Sequence, residues 1–304
     1  MFEIVFLGTS ASAPSVTRNV TSSVVLHRDY RFLIDAGEGT QRQLLKSGLG
    51  FRKLERILLT HGHLDHILGL AGLVSTFSRW DMEQQNLQIY GSRSTLQRVR
   101  DLLLGVVLRG QRGSIWIEFE ELTPGVFFED SRFQLSAFPV PHRGSDSFGF
   151  LFEEKPRRPF LNERAEALGI PFGPERSRLV RGETVTLADG RLILPEEVLG
   201  PEEAGTRLAY VGDVDEPHAL LDYVRDADAL VIEATYGDEN LEIVQTHGHI
   251  TARMAAELAR AANVGALYLN HISRRHHGPE LEAQARQIFP NATVVRDLDH
   301  VIVR

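Results

Sequence analysis

The sequence predicts an α/β fold, and three observations carry the prediction. Short apolar runs that fit buried strands alternate with segments of helical composition along the 304 residues. No repeat of fixed period cuts across that alternation. Several strands end in histidine or aspartate, and layered α/β folds assemble their sites outside the carboxyl ends of strands. Hydrophobic content is 42% and charged content 24%, an ordinary globular composition. The length allows one large domain or two small ones, with ample apolar mass for a core.

Phe2–Leu7 reads as the first strand, followed by a small-residue loop from Gly8 to Pro14 that lets backbone approach a ligand. Thr21–Leu26 and Arg31–Ile34 suit a hairpin ending at Asp35-Ala36-Gly37. Glu38–Lys46 has helical composition and stops at Gly48. Glu55–Leu59 is a buried strand, and the segment from Ile67 opens a helix reaching about Ser78. Leu87–Tyr90 is a strand, after which Ser94 caps a helix through Leu104. Ile115–Leu122, Val126–Glu129 and Phe133–Val140 follow as strands, the last ending at Pro141-His142, and Ser147–Phe152 is another.

From residue 153 to about 205 the pattern breaks. Six of the thirteen prolines fall there, and between Lys155 and Gly182 seven Lys/Arg stand against three Asp/Glu. That balance predicts an inserted arm rather than core. Beyond it, Arg207–Val211 is a strand ending at Gly212-Asp213, Glu216–Arg225 is helical, and Ala229–Ile232 is a buried strand. Thr251–Ala262 is an alanine-rich helix, and Ala266–Leu269 a strand ending at Asn270-His271. Pro279–Ile288 is a helix with proline in its first turn, and Thr293–Val295 and Val301–Val303 close the chain.

Composition excludes several functions. Without cysteine there are no disulfides, thiolate metal sites or cysteine nucleophiles. No apolar run approaches the roughly 18 residues of a membrane span. The start of the chain carries no basic leader, so a cytoplasmic protein without a signal peptide is expected. A net charge of −8 argues against non-specific coating of nucleic acid, but leaves room for a local basic surface.

The chemistry centres on Thr60-His61-Gly62-His63-Leu64-Asp65-His66, at a strand-to-helix turn. Imidazole and carboxylate without sulfur suit Zn, Mn or Fe in an open site rather than a closed structural zinc. Two ligand pairs leaving on diverging elements suit two adjacent metals. His142, Asp213 and His271 each follow a strand and complete the set. His61, His63 and His142 are expected to hold one metal, Asp65, His66 and His271 the other, with Asp213 bridging.

His61-Gly62-His63-Leu64-Asp65-His66, with His142, Asp213 and His271 at increasing distance, resembles the metallo-β-lactamase superfamily. Further segments resemble ribonuclease Z, the family of tRNA 3′-end processing endonucleases. These are Ile232-Glu233-Ala234-Thr235 with His249-Ile250-Thr251, then Asn270-His271-Ile272-Ser273-Arg274-Arg275, and Gly173-Pro174 with Leu179-Val180-Arg181-Gly182. The resemblance spans the chain and implies a single four-layer αββα sandwich over residues 1–304, with the segment 153–205 as a flexible tRNA-binding arm. It also implies two Zn2+ per chain (Mn2+ as the alternative), precursor tRNA as substrate and a homodimer. The reaction implied is removal of the 3′ trailer, leaving a 3′-hydroxyl on the tRNA. At two places the chain departs from the family pattern: Val16 stands where a lysine is frequent, and Ser10-Ala11-Ser12 replaces glycines.

Within that frame Asp65 is expected as general base and His249 as general acid, oriented by Glu233; Asp35 is expected beside a ligand imidazole. Two other functions use the same residues: a small-molecule phosphodiesterase of the superfamily, which would not need the arm, and an inert RNA-binding relative. The second is disfavoured because every ligand position is filled.

Overall fold

The computed structural model describes residues 1–79, 86–109 and 115–304. Two compact units are present, one made of 1–153 with 206–304 and the other of 154–205. The larger unit holds two seven-stranded sheets. The first runs His300–Val303, Phe2–Gly8, Ser22–His27, Tyr30–Ile34, Arg56–Leu58, Asn86–Gly91, Trp116–Glu121. The second runs Ala292–Val294, Ala266–Asn270, Ala229–Glu233, Arg207–Tyr210, Ser147–Glu154, Phe133–Val140, Gly125–Glu129.

Strand side chains alternate faces, so a continuous apolar run feeds two apolar layers at once. Ile4 and Phe6 enter the layer shared with the second sheet, whereas Val5 and Leu7 pack under the helices of the first. In the second sheet Leu208 and Tyr210 face the shared layer, and Ala209 and Val211 face outward. Phe2, Phe32, Phe133, Phe150 and Phe152 fill the shared layer, each fully buried and contributing about 1.5–3 kcal/mol by area. The outer layer of the first sheet is completed by Leu70, Leu73, Val74 and Phe77 of the helix Gly69–Arg79. The outer layer of the second is completed by the alanine stripe of Ala252–Ala261 and by Leu281 and Ala285. Three apolar layers between four of secondary structure make the αββα sandwich.

Three local expectations are corrected. Ser92, not Ser94, caps the helix Arg93–Leu102: its side chain accepts from Thr95 N, because Gly91 ends the strand and Ser92 keeps the extended backbone an N-cap needs. That helix, Arg93–Leu102, ends in a π turn over Leu103–Val107. Glu216–Arg225 is not one helix but a 3-10 turn, Pro217–Leu220, and a short α-helix, Leu221–Val224. A helix that sequence reading missed, Leu241–His247, stops at Gly248 in the left-handed region (φ 68).

The unit 154–205 has its own apolar cluster, with Ala165, Ile170, Leu179, Val185, Ile193 and Val198 buried together. Short helices and one two-stranded hairpin supply them. Its basic residues are not all free: Arg176 is buried, donates to the carbonyl of Ile170 and lies 3.6 Å over the Phe172 ring. Arg178 and Arg181 share Glu183, and Arg158 pairs with Glu196. No helix among the described residues is long and apolar enough to cross a membrane.

Candidate metal centre

Strand order delivers the predicted residues to one edge. Arg207–Tyr210, Ala229–Glu233 and Ala266–Asn270 run parallel as neighbours, so Asp213, Glu233 and His271 leave the same end of the sheet. In the first sheet Tyr30–Ile34 and Arg56–Leu58 are parallel, which puts Asp35 beside Thr60 and His61. His63 is the extended N-cap of the short helix Leu64–Ile67, and Asp65 and His66 occupy its first turns. Asp35 and His271 both sit at positive φ, 54° and 56°. Neither is glycine, and this costly backbone is a form of strain that collects at functional sites.

The donors fall into two groups whose atoms lie within 4.8 Å of one another: His61, His63, His142 and Asp213, and Asp65, His66 and His271. Asp213 stands between them. Its Oδ2 is 3.7 Å from His61 Nε2 and 3.9 Å from His142 Nε2, while Oδ1 is 3.5 Å from His66 Nε2 and 3.3 Å from His271 Nε2. One oxygen faces each group, the disposition of a bridging carboxylate. A third group joins Asp213 and His271 with His249.

A second tier fixes the rings. Asp35 accepts from Thr60 N at 2.8 Å, from Thr60 Oγ1 at 2.8 Å and from His66 Nδ1 at 2.7 Å, leaving His66 Nε2 turned to the centre. Thr60 donates its one hydroxyl proton to Asp35, so it accepts from His61 Nδ1 at 3.1 Å. Thr235 repeats the device. Its hydroxyl donates to Glu233 Oε2 and accepts from His271 Nδ1 at 2.9 Å. His142 Nδ1 donates to the carbonyl of Gly248 at 2.9 Å. The rings of His61, His66, His142 and His271 thus present Nε2 inward with their tautomers set by the partner of Nδ1, whereas His63 turns Nδ1 to within 2.8 Å of His61 Nε2. Gly212 makes room for this: a Cβ there would lie 2.8 Å from Thr60 Oγ1.

Thr60, Thr235 and Gly248 are roles that sequence reading missed. The first two stood inside the quoted segments, but which carboxylate and which imidazole a hydroxyl joins is not visible in one-dimensional spacing.

Glu233 is buried and accepts from Val214 N at 2.7 Å and from His249 Nδ1 at 3.1 Å. Burial works against a charge on His249, yet Glu233 and then Asp213 outweigh it and push the imidazole up to about 9. His61, His63 and His142 are held below the usual histidine range, chiefly by burial, and so remain neutral, the form that binds metals. His66 is buried too, but Asp213, Asp35 and Asp65 hold its pKa well above the usual value; a cation at Nε2 would displace that proton. Against its own burial, Asp65 is kept ionised by His66 and His271.

Among the described residues, His66 Nε2, His142 Nε2 and Asp213 Oδ1 are buried without a hydrogen-bond partner. Each such atom costs about 1–3 kcal/mol if left unpaired. Two unpaired imidazole nitrogens turned to a carboxylate with an unpaired oxygen of its own fit divalent cations.

A family model described as Anti-Pycsar protein Apyc1 matches residues 2–158. That stretch contains the first five donors and ends before Asp213, His249 and His271. Similarity over the whole chain is to other proteins. Ribonuclease Z of Bradyrhizobium diazoefficiens is 47% identical over 305 residues, covering 100% of both chains. Ribonuclease Z of Listeria monocytogenes is 41% identical over 97% of each. Among solved structures, human tRNase Z, short form, superposes with a TM-score of 0.71 at 24% identity, covering 99% of each chain. The metallo-beta-lactamase fold protein YhfI from Bacillus subtilis gives 0.69 at 14%, covering 99% of this chain and 98% of its own. Both share the fold.

Sandwich and donor set together define a metal-dependent hydrolase of the metallo-β-lactamase fold. Within that class, similarity over its full length places the chain in a narrower group. It belongs to the ribonuclease Z family.

Proposed function

We propose that this chain is a zinc-dependent endoribonuclease that cuts the 3′ trailer from precursor tRNA and leaves a 3′-hydroxyl on the tRNA. The observation that carries the reading is the Asp213 carboxylate facing two donor groups at once, with the His249–Glu233 pair beside it. His61, His63, His142 and Asp213 would hold one Zn2+, and Asp65, His66, His271 and Asp213 a second, with Mn2+ as the alternative. When bound, two dications acidify the attacking water and offset charge building on the phosphate.

The chain's own residues do the rest. Asp65, whose Oδ2 is oriented by Ser12 N at 2.8 Å, takes the proton of the water on its carboxylate. His249 carries a proton on Nε2 to the leaving 3′-oxygen, while its Nδ1–H is held by Glu233. Incubation of the purified protein with a 3′-extended tRNA precursor, with product ends mapped, tests the reading. A single cut leaving a 3′-hydroxyl on the tRNA supports it, and an uncut precursor beside hydrolysis of small phosphodiesters favours a small-molecule enzyme. The family resemblance further supports a cytoplasmic homodimer, which light scattering would register as twice the 34.0 kDa chain.

The unit 154–205 is proposed to grip the tRNA and to carry no chemistry. Arg157, Arg164, Arg178 and Arg181 are exposed there, and the surface pairs some of them make are weak enough to exchange for phosphates. None of the donors lies in it, and its apolar cluster is separate from those of the sandwich. Replacing about Pro156 to Pro201 with a short glycine-serine linker is therefore expected to spare hydrolysis of a small aryl phosphodiester. Cleavage of precursor tRNA should collapse through a higher KM, since such RNA is read by shape and backbone. Parental tRNA processing at dilute substrate by the linker variant would reduce the unit to a loop.

A further inference from the structure

Beside the His142 loop lies a cavity of about 530 Å³. Pro141 and Ser145 form part of its wall, and Ser145 Oγ donates to the carbonyl of His142 at 2.6 Å. Phe148, also in the wall, donates its backbone N–H to the carbonyl of Thr60 at 2.9 Å, one residue before His61. Cavity and ligand loops share that wall, so an occupant would rest against the loops that carry His61 and His142. The volume lies in the range of about 300–1,000 Å³ typical of small-ligand sites.

Tyr223 borders the cavity. Its ring is backed by Phe138, with centroids 4.9 Å and planes 10° apart, yet the residue remains 41% exposed. An aromatic ring supported on one face and open at the other is a platform on which a base stacks. Charge narrows the class of ligand. One cation, Arg93, stands against the carboxylates of Glu121 and Asp146, a balance that disfavours a phosphate. Carboxylates and serine hydroxyls instead accept from the amino and imino N–H groups on a base edge. Arg93 is exposed, with no ion-pair partner among the described residues, so it can meet the sugar-phosphate at the rim.

We infer that this cavity is a subsite for the base of one unpaired nucleotide flanking the scissile phosphate, stacked on Tyr223. The inference rests on the ribonuclease reading above and adds where the substrate is gripped next to the cut. Precursor substrates carrying a single abasic nucleotide at successive positions around the cut are assayed with the parental chain, Tyr223→Ala and Tyr223→Phe. Tyr223→Ala should lose about tenfold to a hundredfold in kcat/KM, and Tyr223→Phe, which keeps the flat ring, should stay near parental. One abasic position should cost the parental chain a similar factor and add nothing to the loss in Tyr223→Ala, the non-additivity expected of partners in contact. A Tyr223→Ala chain with parental Tm and parental kcat/KM overturns the subsite, and so does an abasic loss that is identical in parent and variant. If the alanine variant does not fold, Tyr223→Leu replaces it, keeping apolar volume without a flat ring. Titration with a fluorescein-labelled pentanucleotide of mixed sequence, read by anisotropy, separates the two claims. Binding that needs Tyr223 while precursor tRNA stays uncut keeps the subsite and removes the tRNA reading. Precursor cleavage with binding indifferent to Tyr223 does the reverse.

Discussion

Asp213→Ala is expected to empty both halves of the centre, so that elemental analysis falls from about two metals per chain to fewer than one. Removing any other donor takes one ligand from one group, but Asp213 has an oxygen facing each, at 3.3–3.9 Å from four imidazoles. Loss of its charge also leaves the imidazoles of His66 and His271 without their nearest shared carboxylate. Hydrolysis of any phosphodiester should drop by about three orders of magnitude or more, since the bound charge is worth several kcal/mol in the transition state. The metal count is the sharper readout because it does not depend on choosing the right substrate. A variant that retains two metals and full activity would falsify the bridging assignment.

His249→Ala should behave differently: metal content stays parental while kcat on precursor tRNA falls about a hundredfold or more, the usual range for losing a general acid. His249 meets Asp213 only at 3.8 Å and is turned toward Glu233, so the donor groups survive its removal. The deficit should shrink on an aryl phosphodiester, whose leaving phenolate needs little proton assistance. Equal losses on both substrates would take His249 out of proton transfer. Glu233 must be probed as Glu233→Gln rather than alanine. It also anchors Val214 N, Ile250 N and Thr235, so deleting the side chain would disturb the Asp213 and His271 loops together. The glutamine keeps much of that shape and removes the charge that holds His249 protonated.

Much of this was legible before any fold was known. The apolar runs fixed where strands lie, and their doubly buried alternation is visible in Phe2–Leu7 and Ala229–Ile232. The crowding of His61, His63, Asp65 and His66 into six residues marked a metal site by spacing alone. Helix ends were less legible. Ser94 was as good a cap by residue type as Ser92, and only the end of the strand at Gly91 decides between them. Leu241–His247 is only seven residues long and escaped notice, although its left-handed stop at Gly248 supplies the carbonyl that orients His142. Counting charges overstated the free basic surface of 154–205, because Arg176 is buried against Phe172 and two other arginines share the one carboxylate of Glu183.

The sequence by itself determined which elements form and which side chains are chemically able to act. Those properties depend on residues a few positions apart, through side-chain periodicity, turn residues and ligand type. Tertiary structure decided that Asp213 turns one oxygen to each donor group, that Thr60 and Thr235 set the tautomers of His61 and His271, and that a cavity opens beside His142 under Tyr223. Such relations join residues 100 or more positions apart in several cases. They follow from strand order and register, which bring three neighbouring parallel strands to end on one edge. No local pattern encodes that order; it is set by which apolar faces can be buried together.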